Sequence, residues 1–254
     1  MILSPSTFRI IVLSWIALAI VLFPLLLKVR APYGRHSTNR WGPLMDNRMG
    51  WVIMEMPTLL LFFLLFFYGR GFNAGIMYIF PAVWGIHYIN RIFIFPFTTR
   101  TTGKKIPVLI VLLAMVFNLV NGFTNGYYLG YLADRYDPSW IKDPRFIAGA
   151  LIFVTGFIIN QVSDHYLTGL RKGGRSGYFI PRHRLFRYIS CPNFAGEIME
   201  WTGFAFMAWN LPAVSFAVWT AANLIPRAIH HHRWYRSKFP DYPASRKAII
   251  PGIL

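Results

Sequence analysis

Ionisable residues inside apolar stretches are where this sequence can do chemistry. A charged side chain at the centre of a membrane helix costs about 2.5–3.5 kcal/mol on insertion scales, so it persists where it faces a cavity, a partner or a ligand. Of nine acidic residues, Glu55, Asp164, Glu197 and Glu200 fall in or beside apolar runs. Glu55 stands in Trp51-Val52-Ile53-Met54-Glu55-Met56-Pro57. Trp51 and Glu55 are four residues apart and share a helix face. Loss of water disfavours a charged carboxylate, so Glu55 is expected to be neutral and able to donate a hydrogen bond. The alternative is a structural carboxyl paired with a neighbouring helix. A second run, His87-Tyr88-Ile89-Asn90-Arg91, sets Tyr88 three residues before Arg91. Tyrosines near a membrane boundary commonly form an aromatic belt. Arg91 within an apolar run calls for an anionic ligand or a carboxylate.

Further along, Asn160, Asp164 and Arg171 fall within about 40° of one another on a helix of 3.6 residues per turn. This stripe of amide, carboxylate and guanidinium suits a ribose and phosphate ligand: the carboxylate accepts from hydroxyls, and Arg171 takes phosphate bidentately. A solvated helix end is the plainer reading. After a basic loop, Cys191-Pro192-Asn193-Phe194-Ala195-Gly196-Glu197 places Asn193 and Glu197 four apart, with Glu200 one turn on. Asn193 could equally serve as a helix cap. Near the C-terminus, Arg227, His231 and Tyr235 share a face at four-residue intervals. His230, His231 and His232 make a poor chelate, because helix neighbours point about 100° apart. With one cysteine, Cys191, no internal disulfide is available and no metal site is expected.

The elements that must position these residues are membrane helices. The chain has 254 residues, 55% hydrophobic and 14% charged, against about 25% charged in soluble domains. A span needs roughly 20 apolar residues. Seven stretches qualify as candidates: about 8–27, 51–68, 73–96, 107–132, 146–168, 194–210 and 212–235. The first lacks a cleavage site and is followed by Lys28 and Arg30, so it reads as a retained helix. The expected fold is all-α, a polytopic membrane protein whose seven transmembrane helices enclose an intramembrane cavity for cofactor and substrate. One domain should cover 1–254, with substrate-side helices over about 1–132 and a cofactor-binding half over about 146–254.

The net charge of +17 would suit nucleic acid, but its distribution does not. With the N-terminus outside, the inner segments 28–50, 97–106, 169–193 and the tail from 227 carry 5, 3, 6 and 6 Lys or Arg, against 5 in the outer segments. That is the positive-inside bias, with the C-terminus cytoplasmic. The charges orient the chain and touch anionic lipid; no nucleic-acid partner is expected. No G-x-G-x-x-G follows a strand, so a dinucleotide-binding Rossmann domain is not indicated.

Several of these motifs, in order, resemble the steroid 5α-reductase family, of a bacterial type. The matching stretches are Ser163-Asp164-His165 with Leu170-Arg171-Lys172, Gly177-Tyr178-Phe179-Ile180-Pro181, Asn193-Phe194-Ala195-Gly196-Glu197 with Glu200-Trp201, His230-His231-His232-Arg233-Trp234-Tyr235, and Asp241-Tyr242-Pro243 through Ile250-Pro251. A thinner match covers Tyr33-Gly34-Arg35-His36, Glu55 with Pro57, and His87-Tyr88 with Arg91. The resemblance implies a seven-helix reductase using NADPH and a 3-oxo-Δ4 steroid, with hydride reaching C5 and a proton C4. It implies that Glu55 and Tyr88 hold the 3-keto oxygen, with Trp51 walling the substrate. It assigns the cofactor to Asn160, Asp164, Arg171, Tyr178, Asn193, Glu197, Arg227, His231 and Tyr235, with Arg91, Lys104 and Arg246 as further phosphate partners. The family's Gln before the Glu is Met54 here, which leaves open a related flat enone or isoprenoid as substrate. A monomer is expected, in a bacterial inner membrane or the endoplasmic reticulum. Rival readings are an isoprenylcysteine-type methyltransferase using S-adenosylmethionine and a proton-coupled transporter; the latter calls for two similar halves, which the sequence lacks.

Overall fold

The computed structural model describes residues 3–32, 34–36, 38–70, 75–99, 103–134, 136–170 and 177–254. In a bilayer every backbone polar group must be satisfied within the protein, and helices do this segment by segment. The elements are α1 (Pro5–Lys28), β1 (Leu44–Asp46), α2 (Asn47–Arg70), α3 (Ile79–Ile89), α4 (Phe95–Thr98), β2 (Lys105–Pro107), α5 (Val108–Tyr127), α6 (Pro144–Gly169), α7 (Pro192–Ala208) and α8 (Leu211–Lys238). A π-helical turn, Asn90–Ile94, joins α3 to α4, and another, Tyr128–Leu132, extends α5.

The expected count of seven spans is reduced on one criterion. Among the described residues, four helical stretches are long and apolar enough to cross a membrane: Pro5–Lys28, Asn47–Arg70, Val108–Leu132 and Pro144–Gly169. The other three are helical but compromised. The α3–α4 stretch is interrupted at Asn90 and Arg91 by its π turn. Helix α7 has 17 residues and carries Glu197 and Glu200. Helix α8 has 28, but Ser215, Thr220, Asn223 and Arg227 dilute its apolar run. The all-α expectation also omits a small antiparallel ribbon, with Leu44 opposite Pro107 and Asp46 opposite Lys105.

The chain forms two compact units. One comprises Met1–Leu13, Ala31–Pro144 and Asn210–Pro212. Its centre is the α2–α5 pair. Gly122, Gly126 and Gly130 recur every four residues, and a β-carbon on each would meet the backbone of Thr58 and Phe62, both at 2.8 Å, and of Leu65. Small residues at this spacing let helix backbones touch. The contacts advance together along both helices, so α2 and α5 run parallel. The Asp46 carboxylate caps the α2 N-terminus by accepting from the amides of Arg48 and Met49 at 2.9 and 3.0 Å. Phe62 stacks on Trp84 of α3 at 4.4 Å between ring centroids.

The other unit comprises Ser14–Arg30, Arg145–Trp209 and Ala213–Leu254. Here the glycines are seven apart, Gly149 and Gly156 on α6 and Gly196 and Gly203 on α7. Gly156 faces Gly196 and Gly149 faces Gly203, so these helices are antiparallel. Seven residues make nearly two whole turns, which keeps both glycines on one seam. Trp219 of α8 donates its indole N–H to Trp15 O at 2.9 Å. The C-terminal segment docks alongside the stretch before α7 through Lys247 N to Tyr188 O, Ser190 N to Lys247 O and Cys191 N to Ala248 O.

Candidate active site

In the first unit, α2 presents Trp51 and Glu55 one turn apart, as the sequence spacing requires. Asn118 of α5, buried at 3% exposure, reaches across to α2. Its Nδ2 donates to Met54 O at 2.6 Å and to Glu55 Oε2 at 3.2 Å. Asn118 was not among the sequence candidates, although Asn118, Asn121 and Asn125 recur at helical spacing in an apolar run. Tyr88 is buried on α3, its ring against Trp84 at 5.3 Å and His87 at 4.9 Å. The π turn begins two residues later; such turns concentrate at functional sites. It carries Arg91, whose guanidinium sits 4.9 Å from the Trp51 ring centre and 4.8 Å from that of Phe95. Arg91 therefore joins the Trp51 surface in this unit by cation–π contact. Met54, where the sequence departs from the resembled pattern, is buried in an apolar cluster with Ile106 and Val111.

In the second unit, the α6–α7 seam brings four sequence-predicted residues together. Asn160 Nδ2 donates to Asn193 O at 3.0 Å and to Glu197 Oε2 at 3.4 Å. Asn193 Nδ2 donates to Asp164 Oδ1 at 2.9 Å. Close packing at Gly156 and Gly196 makes these short side chains sufficient to span the gap. Two carboxylates and two amides thus share one polar cluster, of a chemistry suited to hydroxyl groups. On α8, the His231 ring lies 5.5 Å from Phe194 of α7. Tyr235 stacks on Tyr242 at 5.3 Å, and Tyr178 meets Trp234 edge-on at 5.0 Å. Arg227 lies one turn before His231 on the same helix. Arg171 lies outside the described residues.

A second network, absent from the sequence reading, surrounds Arg246. Ser190 Oγ lies 2.7 Å from His232 Nδ1 and 2.7 Å from the Tyr242 hydroxyl, and donates to Lys247 O at 3.0 Å. Arg246 lies over the Tyr242 ring at 4.7 Å. Burial pushes the Tyr242 phenol above its ordinary range, against the opposing pull of its hydrogen bonds to Ser190 and Arg246 and of the Arg246 charge. Arg246 is 3% exposed, yet its Nε and Nη1 have no hydrogen-bond partner among the described residues. Buried guanidinium N–H groups left in this state fit an anionic ligand such as phosphate.

Comparison with known proteins converges on one family. The 3-oxo-5-alpha-steroid 4-dehydrogenase family matches residues 104–254. The chain is similar to a steroid 5-alpha-reductase of Gossypium hirsutum, 42% identical over 89% of this chain and 89% of the relative. It is also similar to 3-oxo-5-alpha-steroid 4-dehydrogenase 1 of Bos taurus, 41% identical over 94% and 93%. The corresponding Homo sapiens protein is 40% identical over 87% and 85%. These relatives are plant and animal proteins. The chain belongs to the 3-oxo-5-alpha-steroid 4-dehydrogenase family and is a membrane oxidoreductase of the steroid-reductase class.

Proposed function

From this membership we propose that the protein reduces the Δ4 double bond of a 3-oxo-Δ4 steroid, or of a related flat enone, using NADPH. The observation that carries the site assignment is the Glu55 carboxyl, half-buried on α2 one turn from Trp51 and held by Asn118. Neutral Glu55 and Tyr88 donate hydrogen bonds to the 3-keto oxygen and stabilise the enolate that forms as C5 receives hydride. Donors aimed at developing negative charge are commonly the largest single contribution to such catalysis. A proton taken up at C4 from water then completes the 5α-reduced ketone. Trp51 forms an apolar wall beside the keto group.

NADPH, when bound, supplies the hydride. Asp164 and Glu197 accept from its ribose hydroxyls, and Asn160 and Asn193 hold those carboxylates in place. Arg171, Arg227, His231 and Arg246 meet its phosphates, with Arg91 a further candidate; Tyr178 and Tyr235 offer aromatic surface. The unpartnered buried N–H groups of Arg246 support this set. The chain works as one reductase domain, with substrate-side helices over about 1–132 and cofactor-binding helices over about 146–254, and as a monomer.

Seven crossings fit the helix directions within each unit. Parallel α2 and α5 require the chain to return between them, and α3–α4 is the helical stretch available among the described residues. The positive-inside charge bias supports an N-terminus outside and a C-terminus in the cytoplasm, in an endoplasmic-reticulum or bacterial inner membrane. Purified protein should oxidise NADPH only when a 3-oxo-Δ4 steroid or similar enone is added. Glu55→Gln should lose most of that turnover while binding NADPH as before. Full activity in Glu55→Gln would remove Glu55 from the mechanism; no turnover with any steroid enone, alongside tight S-adenosylmethionine binding, would replace reduction with methyl transfer.

A further inference from the structure

We propose that the groove between the last turns of α6 and the segment 183–186 is a binding site for an anionic phospholipid. Ile158, Ile159 and Val162 of α6 line it together with Leu185, His183 and Arg184, and its volume is about 190 Å³. Aromatic contact holds the segment against α6: the Tyr166 ring lies 5.6 Å from His183 and 5.5 Å from Phe186. The α6 wall runs from Ile158 to Tyr166, about 12 Å at a rise of 1.5 Å per residue. Its Ile158 end is apolar. At the other end His183 packs on Tyr166, with Arg184 next in the chain. An acyl chain and a headgroup suit these two ends.

Location, charge and backbone geometry choose this occupant. Helix α6 is long and apolar enough to cross a membrane. Ile147, Leu151, Val154 and Ile158 form an exposed apolar stripe along it at helical spacing. That stripe runs into the groove at Ile158, so a lipid chain lying on α6 continues into it. The charge nearby is of one sign: positions 169–193 hold six Lys or Arg and no Asp or Glu. Arg182 is paired with Asp241, whereas Arg184, on the groove wall, makes no ion pair among the described residues. A guanidinium takes phosphate oxygens bidentately. A zwitterionic headgroup would add its own cation to this basic segment, so an anionic one fits better. Finally, Arg184 has φ 52, a left-handed conformation that residues with a β-carbon seldom adopt. Strain of this kind persists where the surrounding structure enforces it, and it gathers at ligand clamps. Here it sets a guanidinium at the wall of the groove.

The test uses the full-length protein in detergent, mixed with phosphatidylglycerol or with phosphatidylcholine of the same chain length, and native mass spectrometry reads the lipid retained. Wild type should hold one phosphatidylglycerol about tenfold more tightly than phosphatidylcholine, the scale of one charge-assisted hydrogen bond. Arg184→Gln should lose that preference. Ile158→Trp, which fills the apolar end, should lower retention of both lipids. Lys238→Gln removes an exposed charge at the end of α8 and should behave as wild type. Arg184→Gly separates binding from folding: glycine takes φ 52 without strain, so this variant should keep the thermal midpoint of wild type and still lose the lipid preference. Equal retention of the two lipids by wild type would mean an ordinary shell of bilayer lipid and would overturn the proposal. So would a wild-type preference in Arg184→Gln and Arg184→Gly, or a preference lost equally in Lys238→Gln, which would mean diffuse basic charge. None of these readings depends on the reductase activity proposed above.

Discussion

Gly196→Ala tests whether backbone contact between α6 and α7 holds the Asn160–Asp164–Asn193–Glu197 cluster together. A β-carbon on Gly196 would lie 2.6 Å from Asn160 N and 2.6 Å from Gly156 O, both backbone atoms that no rotamer change can move. Ordinary contact begins at 3.4 Å, so the helices must part locally by about 0.8 Å. The bonds from Asn160 Nδ2 to Asn193 O and Glu197 Oε2 start at 3.0 and 3.4 Å. A shift of that size takes both past the roughly 3.5 Å at which a hydrogen bond fails. Overpacking costs about 1–3 kcal/mol, and each lost bond adds about 1 kcal/mol. For a chain of this size the midpoint of thermal unfolding should fall by about 6–20 °C. NADPH binding should weaken in parallel, because the carboxylates lose the amides that orient them. The assay is tryptophan fluorescence on heating, with and without NADPH. Gly169→Ala at the end of the facing helix α6 is the control: its β-carbon meets nothing within 4 Å among the described residues, so it should leave both readings unchanged. A Gly196→Ala protein with the midpoint and NADPH affinity of wild type would refute the packing argument.

Two other perturbations read parts of the fold away from that seam. Ser190→Ala removes one hydroxyl that serves His232, Tyr242 and Lys247, and denaturant unfolding should show a loss of about 1–3 kcal/mol; a loss within experimental error would mean that the C-terminal segment docks without it. The Tyr136 phenol is pushed up to about 12, chiefly by burial. Its neutral form is favoured in the folded protein, so this contribution is fully present below pH 10, the ordinary phenol value, and is lost as pH rises towards 12. The absorbance titration of wild type minus Tyr136→Phe should show a phenolate step near 12; a step near 10 would contradict the burial.

The helices and their candidate residues were legible for different reasons. Apolar length alone predicts α1, α2, α5 and α6, because the bilayer leaves the backbone no alternative. Period-four arithmetic places Asn160 with Asp164, and Asn193 with Glu197, on shared faces; the structure joins all four through side-chain amides. Spacing could not say that α6 and α7 meet at that point. That information lies in Gly149, Gly156, Gly196 and Gly203, which a search for reactive side chains passes over. The ribbon of Leu44–Asp46 with Lys105–Pro107 was also hidden, since three-residue strands have too few positions to display alternation.

Asn118 escaped for a reason that bears on the chemistry. Ionisable residues in spans attract notice because they are costly, and a neutral amide in the same place is less conspicuous. An asparagine tied to Met54 O supplies one uncharged N–H to Glu55 Oε2 across the α2–α5 gap. In the second unit Asn160 and Asn193 likewise donate to Glu197 and Asp164. In both units, then, glycines bring two helix backbones close enough for a short amide to aim a carboxyl across the gap.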